Sequence, residues 1–282
     1  MKEFAFLVLL CLFSAALPAQ YTQNATDKDP ISDRPGMAFG ATLTPVDISQ
    51  FEVGHHHRQT NGTPNVIEDH YPSPRSNNGR NSTFTYRYGV NANLEMAAGV
   101  NMQSLYTSYT DKTPTEYSVK NFVSQAYLRG RYLLLQDKLL ISKATLIGQL
   151  NLHRWKSLLS EHQLDTSTDF DLILATESRL GSRFVLGANL GIWRITGDNK
   201  DLIAVLKLDY GIRNNFHVFL ETARREKNYM FGLFHDLGCY FLPHKNWQLD
   251  FAFSRGKLAP VFRERDVWLI NAGISWRLGK NG

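Results

Sequence analysis

The sequence predicts an all-β fold, a transmembrane antiparallel up-and-down β-barrel of about 12 strands, and three observations carry that expectation. From Val46 onward, roughly twelve segments of alternating polarity recur, most of them long enough to cross a bilayer as tilted strands of ~9–11 residues. The connections between them take turns, short then long, as periplasmic turns and outer loops do. The last segment, Asp266 to Leu278, puts Trp268, Ile270, Ala272, Ile274, Trp276 and Leu278 on one face, with Val267, Leu269, Asn271, Gly273, Ser275 and Arg277 opposite, so that one face is apolar and the other turns polar. Its aromatics stand towards both ends of the apolar face, where an interfacial belt would sit.

The chain opens with Met1-Lys2, an apolar run from Phe4 to Leu17, and an A-x-A-like site at Leu17-Pro18-Ala19. Residues 1–19 therefore read as a signal peptide, and Cys239 becomes the single cysteine of the mature chain. Residues 20–45 lack a period and read as a periplasmic N-terminal segment, either a tail or a piece entering the barrel mouth. The barrel is expected over 46–278, with 279–282 as a C-terminal tail.

The expected strands are 46–58, 82–90, 92–108, 119–135, 138–155, 169–181, 183–196, 201–213, 215–226, 229–243, 247–257 and 266–278. Register is tightly specified in the best-patterned ones. In Leu202 to Arg213, Leu202, Ala204, Leu206, Leu208, Tyr210 and Ile212 alternate with Lys207, Asp209, Gly211 and Arg213 towards its end. A slip of one residue would put charges in lipid, at ~2–4 kcal/mol for a basic residue near the midplane. An even strand count places both termini in the periplasm, and closure removes the unpaired edges that lipid would not tolerate. The mean hydropathy of -0.29 does not oppose this, because only alternate residues of a barrel strand face lipid.

The same parity turns many charges inward. Glu52, Arg87, Glu95, Arg129, Arg179, Glu221, Asp250 and Arg277 are the candidates for a constriction or a salt-bridge lattice. Two arrangements satisfy buried ions: interleaved signs filling a narrow interior, or water lining a channel. A barrel of about twelve strands lies between the filled and the open cases.

Other chemistries find little support. His55-His56-His57 can place at most His55 and His57 on one side of a strand, so no metal site is expected. Ser160, Glu161 and His162 share one loop, yet no Gly-x-Ser-x-Gly elbow exists, and no catalytic residue, enzyme activity or cofactor is expected. The net charge of +5 is spread along the chain without a basic block, which argues against nucleic acid.

The order Asn271, Gly273, Trp276, Leu278 resembles the C-terminal insertion signal read by the bacterial barrel-assembly machinery, here followed by four further residues. Several runs in sequence order, Gln50–Gly54, Tyr86–Val90 with Asn93–Glu95, Gly187–Gly191, Phe219–Glu221, Gln248–Phe253 and Ala272–Arg277, resemble the outer-membrane family of MetA-pathway phenol-degradation transporters. That resemblance implies one barrel in the bacterial outer membrane, grouped with transporters of small, often apolar organic compounds. The expected function is passive passage of such solutes. The alternative is a non-conducting barrel that binds or builds through loops 59–81 and 156–168. Expected partners are outer-membrane lipid and lipopolysaccharide, the assembly machinery and a small-molecule solute.

Overall fold

The computed structural model describes residues 37–61, 74–109, 116–138, 141–156, 164–196, 200–227, 230–260 and 265–279. The expected signal peptide, residues 20–36, most of loop 59–81, the Ser160-Glu161-His162 triplet and residues 280–282 lie outside the described residues.

Twelve strands form one closed antiparallel barrel: β1 (Ser49–Asn61), β2 (Pro74–Asn91), β3 (Leu94–Tyr109), β4 (Glu116–Gln136), β5 (Lys143–Lys156), β6 (Leu164–Leu180), β7 (Phe184–Trp193), β8 (Asp201–Arg213), β9 (Phe216–Lys227), β10 (Met230–His244), β11 (Trp247–Pro260) and β12 (Arg265–Leu278). Each strand pairs with its sequence neighbours. The last returns to the first in a continuous register, from Ser49 opposite Leu278 to Asn61 opposite Asp266. No backbone edge is left along that seam, as a lipid environment requires.

Side-chain parity sorts the residues as their polarity demands. Leu128, Leu150, Leu172, Leu174, Leu220, Leu237, Phe251 and Ile270 stand exposed on the outer surface. Their neighbours in sequence, among them Arg129, Gln149, Asn151, Asp171, Ile173, Phe219, Glu221, Asp236, Asp250 and Ala252, are buried inside. Near the periplasmic rim the outer aromatics meet one another: Trp276 stacks on Phe51 at 5.3 Å and on Trp247 at 6.0 Å, and Phe184 meets Tyr210 at 4.7 Å. At the opposite rim Phe253 meets Trp268 at 5.3 Å. An apolar belt between two aromatic girdles is the outer surface of a membrane-spanning barrel.

Several strand limits differ from the expected ones. The first strand begins at Ser49, not Val46, because the chain turns at Asp47 (φ 59°) and Ile48 N–H donates to the Pro45 carbonyl at 3.1 Å. Strand β2 starts eight residues before the expected 82, in the polar run Pro74–Asn81, whose residues show no apolar alternation to betray a strand. Strand β5 starts at Lys143, five residues late, since Asp137 (φ 53°) closes a turn through its N–H to the Ser142 carbonyl at 2.8 Å. The wall is lowest at β7, 10 residues long against 17 in β6.

Candidate functional site

The interior of the periplasmic half is built on Glu95, the second residue of β3. Its carboxylate accepts Nε and Nη2 of Arg87 on β2 at 2.9 and 2.8 Å, and Nη1 of Arg131 on β4 at 3.4 Å. Arg87 also donates Nη1 to Glu52 of β1 at 2.9 Å, and Glu52 accepts Nε2 of Gln50 at 2.6 Å. Arg277 of β12 donates to Gln50 Oε1 at 2.9 Å and carries the network across the seam. Antiparallel register brings these groups level, so a sign-alternating lattice crosses β12, β1, β2, β3 and β4. Glu95 and Arg131 are fully buried within it.

Four of the eight predicted interior residues thus share one network: Glu52, Arg87, Glu95 and Arg277. Arg129 sits one turn of the pleat further in, donating Nε to Gln149 at 2.6 Å, its guanidinium over the rings of Phe39 at 4.6 Å and Tyr127 at 5.0 Å. Glu221 is higher on β9, opposite Lys207 of β8 and Asp236 of β10. Asp250 is buried on β11, and Arg179 lies near the periplasmic end of β6, its N–H donating to Ser142 Oγ at 3.0 Å. The residues expected to form an insertion signal all lie in β12, where Gly273 pairs with Gly54 and Trp276 stacks in the aromatic girdle.

Residues 37–44 lie inside this lumen, and Pro45, Val46 and Asp47 are exposed where the chain emerges. The chain passes down the inner wall, and strand after strand takes hold of its main chain. Met37 and Ala38 donate their N–H groups to the two oxygens of Glu221 at 2.5 and 3.1 Å. Asn189 of β7 reads Phe39 in both directions, accepting its N–H at 2.6 Å and donating Nδ2 to its carbonyl at 2.9 Å. Ala41 donates to Glu177 of β6 at 2.8 Å and accepts Thr145 Oγ1 of β5 at 2.6 Å. Arg131 donates to the Gly40 carbonyl, and Thr44 N–H reaches Glu95 at 2.6 Å. Thr42 bridges Glu177 at 3.2 Å and Lys143 at 3.0 Å.

Small side chains let the segment lie close. Ala41 packs among Ile147, Ile173 and Ala175, and Ala38 among Ile203, Val205, Ala223, Phe234 and Val267. Where the segment leaves the lumen it crosses Gly89, at which a Cβ would stand 2.1 Å from the Pro45 carbonyl oxygen. Only glycine allows that approach.

Nearer the outer rim the two sides of the lumen differ. Along β3 to β6 an amide relay runs from Asn101 to Gln125 (2.5 Å) and from Gln125 to Asn151 (2.7 Å). It ends on Asp169 (2.9 Å) and Asp171 (2.8 Å). His153 and Arg194 approach Asp169 at 3.0 and 3.5 Å, and the Arg194 N–H donates to Asp171 at 2.9 Å. Across from it, Ile203, Val205, Ala223, Phe234 and Val267, with the flanking Trp193 and Leu269, make the apolar patch on which Ala38 packs, and Asp201, Arg225 and Asp236 stand among them on the same strands. Gln50, Gln125, Gln149, Asn151 and Asn189 face inward beside the charges but were not among the expected site residues, although the alternation that turns Arg129 inward on β4 also turns Gln125 inward. Of the three histidines, His55 is outside, bonded to Ser82 Oγ at 3.0 Å, and His56 shares the inward parity of Glu52.

The closed ladder, the girdled apolar belt and the polar interior define an outer-membrane type of transmembrane β-barrel. Among solved structures the chain is similar to the COG4313 outer membrane channel from Pseudomonas putida F1, with TM-score 0.56 and 11% identity over 92% of this chain and 100% of that one. It also aligns with the KdgM porin, TM-score 0.47 and 9% identity over 80% of this chain and 98% of that one. A third is the TodX monoaromatic hydrocarbon channel deltaS2 mutant, TM-score 0.48 and 10% identity, covering 84% and 91%. At such identities the likeness is one of fold. No family model matches the chain and no curated protein does, so the resemblance to phenol-degradation transporters rests on the runs quoted above.

Proposed function

We propose that the protein is a passive outer-membrane channel for small organic molecules that carry hydrogen-bonding groups on an apolar skeleton, and that residues 37–44 close its periplasmic half. The observation that carries this reading is the manner in which the segment is held. Among the described residues, 37–44 have no β-bridge, and most of their hydrogen bonds run from side chains of the wall to their main chain, with Thr42 Oγ1 bonded to Glu177 and Lys143 side chains as well. Such ties exchange with water or solute without breaking the barrel ladder. The amide and carboxylate relay opposite an apolar patch supplies the chemistry for a solute with both characters.

Single-channel conductance of the refolded mature protein tests the reading, with heat-dependent gel mobility as the folding control. Replacing Glu177 and Glu221 by Gln weakens four of the ties and leaves the barrel strands intact. The proposal expects brief openings in the native protein and at least tenfold more open time in the Glu177→Gln/Glu221→Gln variant. A folded barrel that stays silent in both forms overturns it and favours the second reading, a filled barrel acting through its loops, which the buried ion lattice also suits.

A further inference from the structure

The side chains that hold residues 37–44 read peptide groups more than side chains, and they do so from six strands. Glu221, Asn189, Glu177 and Glu95 accept main-chain N–H groups of residues 37, 38, 39, 41 and 44. Asn189, Arg131 and Thr145 donate to the carbonyls of residues 39, 40 and 41. A two-way amide contact such as that of Asn189 with Phe39 is blind to the side chain it holds. Selectivity comes from the pockets instead. Those around Ala38 and Ala41 have room for a methyl group, and the guanidinium of Arg129 lies over the Phe39 ring. Main-chain bonds for affinity with small pockets for specificity is the division of labour of a peptide-binding site.

We propose that the lumen wall is a binding site for a linear oligopeptide entering from the periplasm, with small residues flanking an aromatic one, which takes the place of the protein's own segment. The proposal rests on the reading above that the segment can leave. Once it leaves, Glu95, Glu177, Glu221 and Asn189 lose main-chain partners, and a peptide restores them one for one where a sugar or an aromatic solute would not. The protein's own segment competes at the high effective concentration of a tethered ligand. A free peptide is therefore best tested against a chain whose segment has been weakened without altering the wall.

The variant Ala38→Pro/Ala41→Pro of the full mature chain removes the N–H groups that reach Glu221 and Glu177 and leaves every lining residue in place. The probe is a fluorescent, end-blocked nonapeptide with the sequence of residues 37–45. Controls are the same peptide N-methylated at the positions of 38, 39 and 41, and one with Leu at the position of Ala41. Anisotropy in detergent should show saturable binding to the weakened variant, at least tenfold weaker for both control peptides and for a barrel also carrying Asn189→Leu. In planar bilayers the parent peptide should block the current of the weakened variant from the periplasmic side.

Binding that ignores N-methylation, or no saturable binding to a folded barrel, overturns the peptide site. The two proposals separate cleanly. A variant that conducts but neither binds nor is blocked leaves the channel standing without the peptide site, whereas one that binds the peptide yet never conducts keeps the site and removes the channel.

Discussion

Glu95 is the residue on which the periplasmic lattice turns, and its replacement by Gln should be felt throughout. The carboxylate is fully buried and faces two guanidiniums, with Arg87 held at 2.8 and 2.9 Å and Arg131 at 3.4 Å, besides the N–H of Thr44 at 2.6 Å. Gln keeps the volume, but it removes the negative charge and points an NH2 at groups that are themselves donors. Taking one partner from a buried pair costs about 3–5 kcal/mol. Arg87 keeps its bond to Glu52 at 2.9 Å, so the lower end, about 3 kcal/mol, is expected. Urea unfolding in detergent micelles, followed by tryptophan fluorescence and by gel mobility of the folded form, reads the difference. Glu52→Gln should cost less, about 1.5 kcal/mol, because Arg87 then retains both contacts with Glu95. A cycle of Glu95→Gln with Arg87→Gln should show a coupling of about 1–3 kcal/mol. If Glu95→Gln stays within about 0.5 kcal/mol of the native protein, water already screens the lattice and Glu95 does not hold it together.

Three further outcomes follow from the same geometry. Leu220 is 59% exposed at the middle of β9; Leu220→Arg should destabilise the inserted barrel by about 2–4 kcal/mol, and a neutral result in the same unfolding assay would place that face away from lipid. Gly89→Val puts a side chain into the Pro45 carbonyl, 2.1 Å from where its Cβ would lie. The barrel should still fold, while a cysteine introduced as Thr42→Cys, with Cys239→Ser, should react at least tenfold faster with a water-soluble thiol reagent; an unchanged rate would show that the segment is not seated over Gly89. Trp276→Ala removes stacking on Phe51 and Trp247, each contact being worth about 0.5–1.5 kcal/mol. Folding into vesicles should slow and stability should fall by about 1–3 kcal/mol.

The barrel was legible because lipid enforces a strict rule: a residue such as Leu220 can stand outside and Glu221 cannot, so a period of two survives in the sequence. Where lipid is absent, the rule lapses. The polar start of β2 at Pro74–Asn81 and the upper part of β6 from Leu164 rise beyond the apolar belt, and nothing in their alternation marks them as strands. Inward charges were readable from the same parity, but their partners were not. That Arg87 meets both Glu52 and Glu95 depends on register across two strand pairs, Gln50 opposite Arg87 and Gly89 opposite Glu95, which no local pattern records. The segment 37–44 was the least visible part. Its residues Met37, Ala38, Phe39, Gly40 and Ala41 carry no period, and it is held through its main chain, which every sequence shares.

Residues 37–44, proposed above as a movable closure of a conducting lumen, can be pinned to the wall at one point. Thr42 and Lys143 face each other, with Lys143 Nζ 3.0 Å from Thr42 Oγ1. A Thr42→Cys/Lys143→Cys pair on a Cys239→Ser background can therefore be joined by a short bifunctional thiol reagent carrying a cleavable link. Conductance of one refolded sample is then measured before joining, after joining and after cleavage. Openings should vanish on joining and return on cleavage. Openings that persist through a complete cross-link would contradict it.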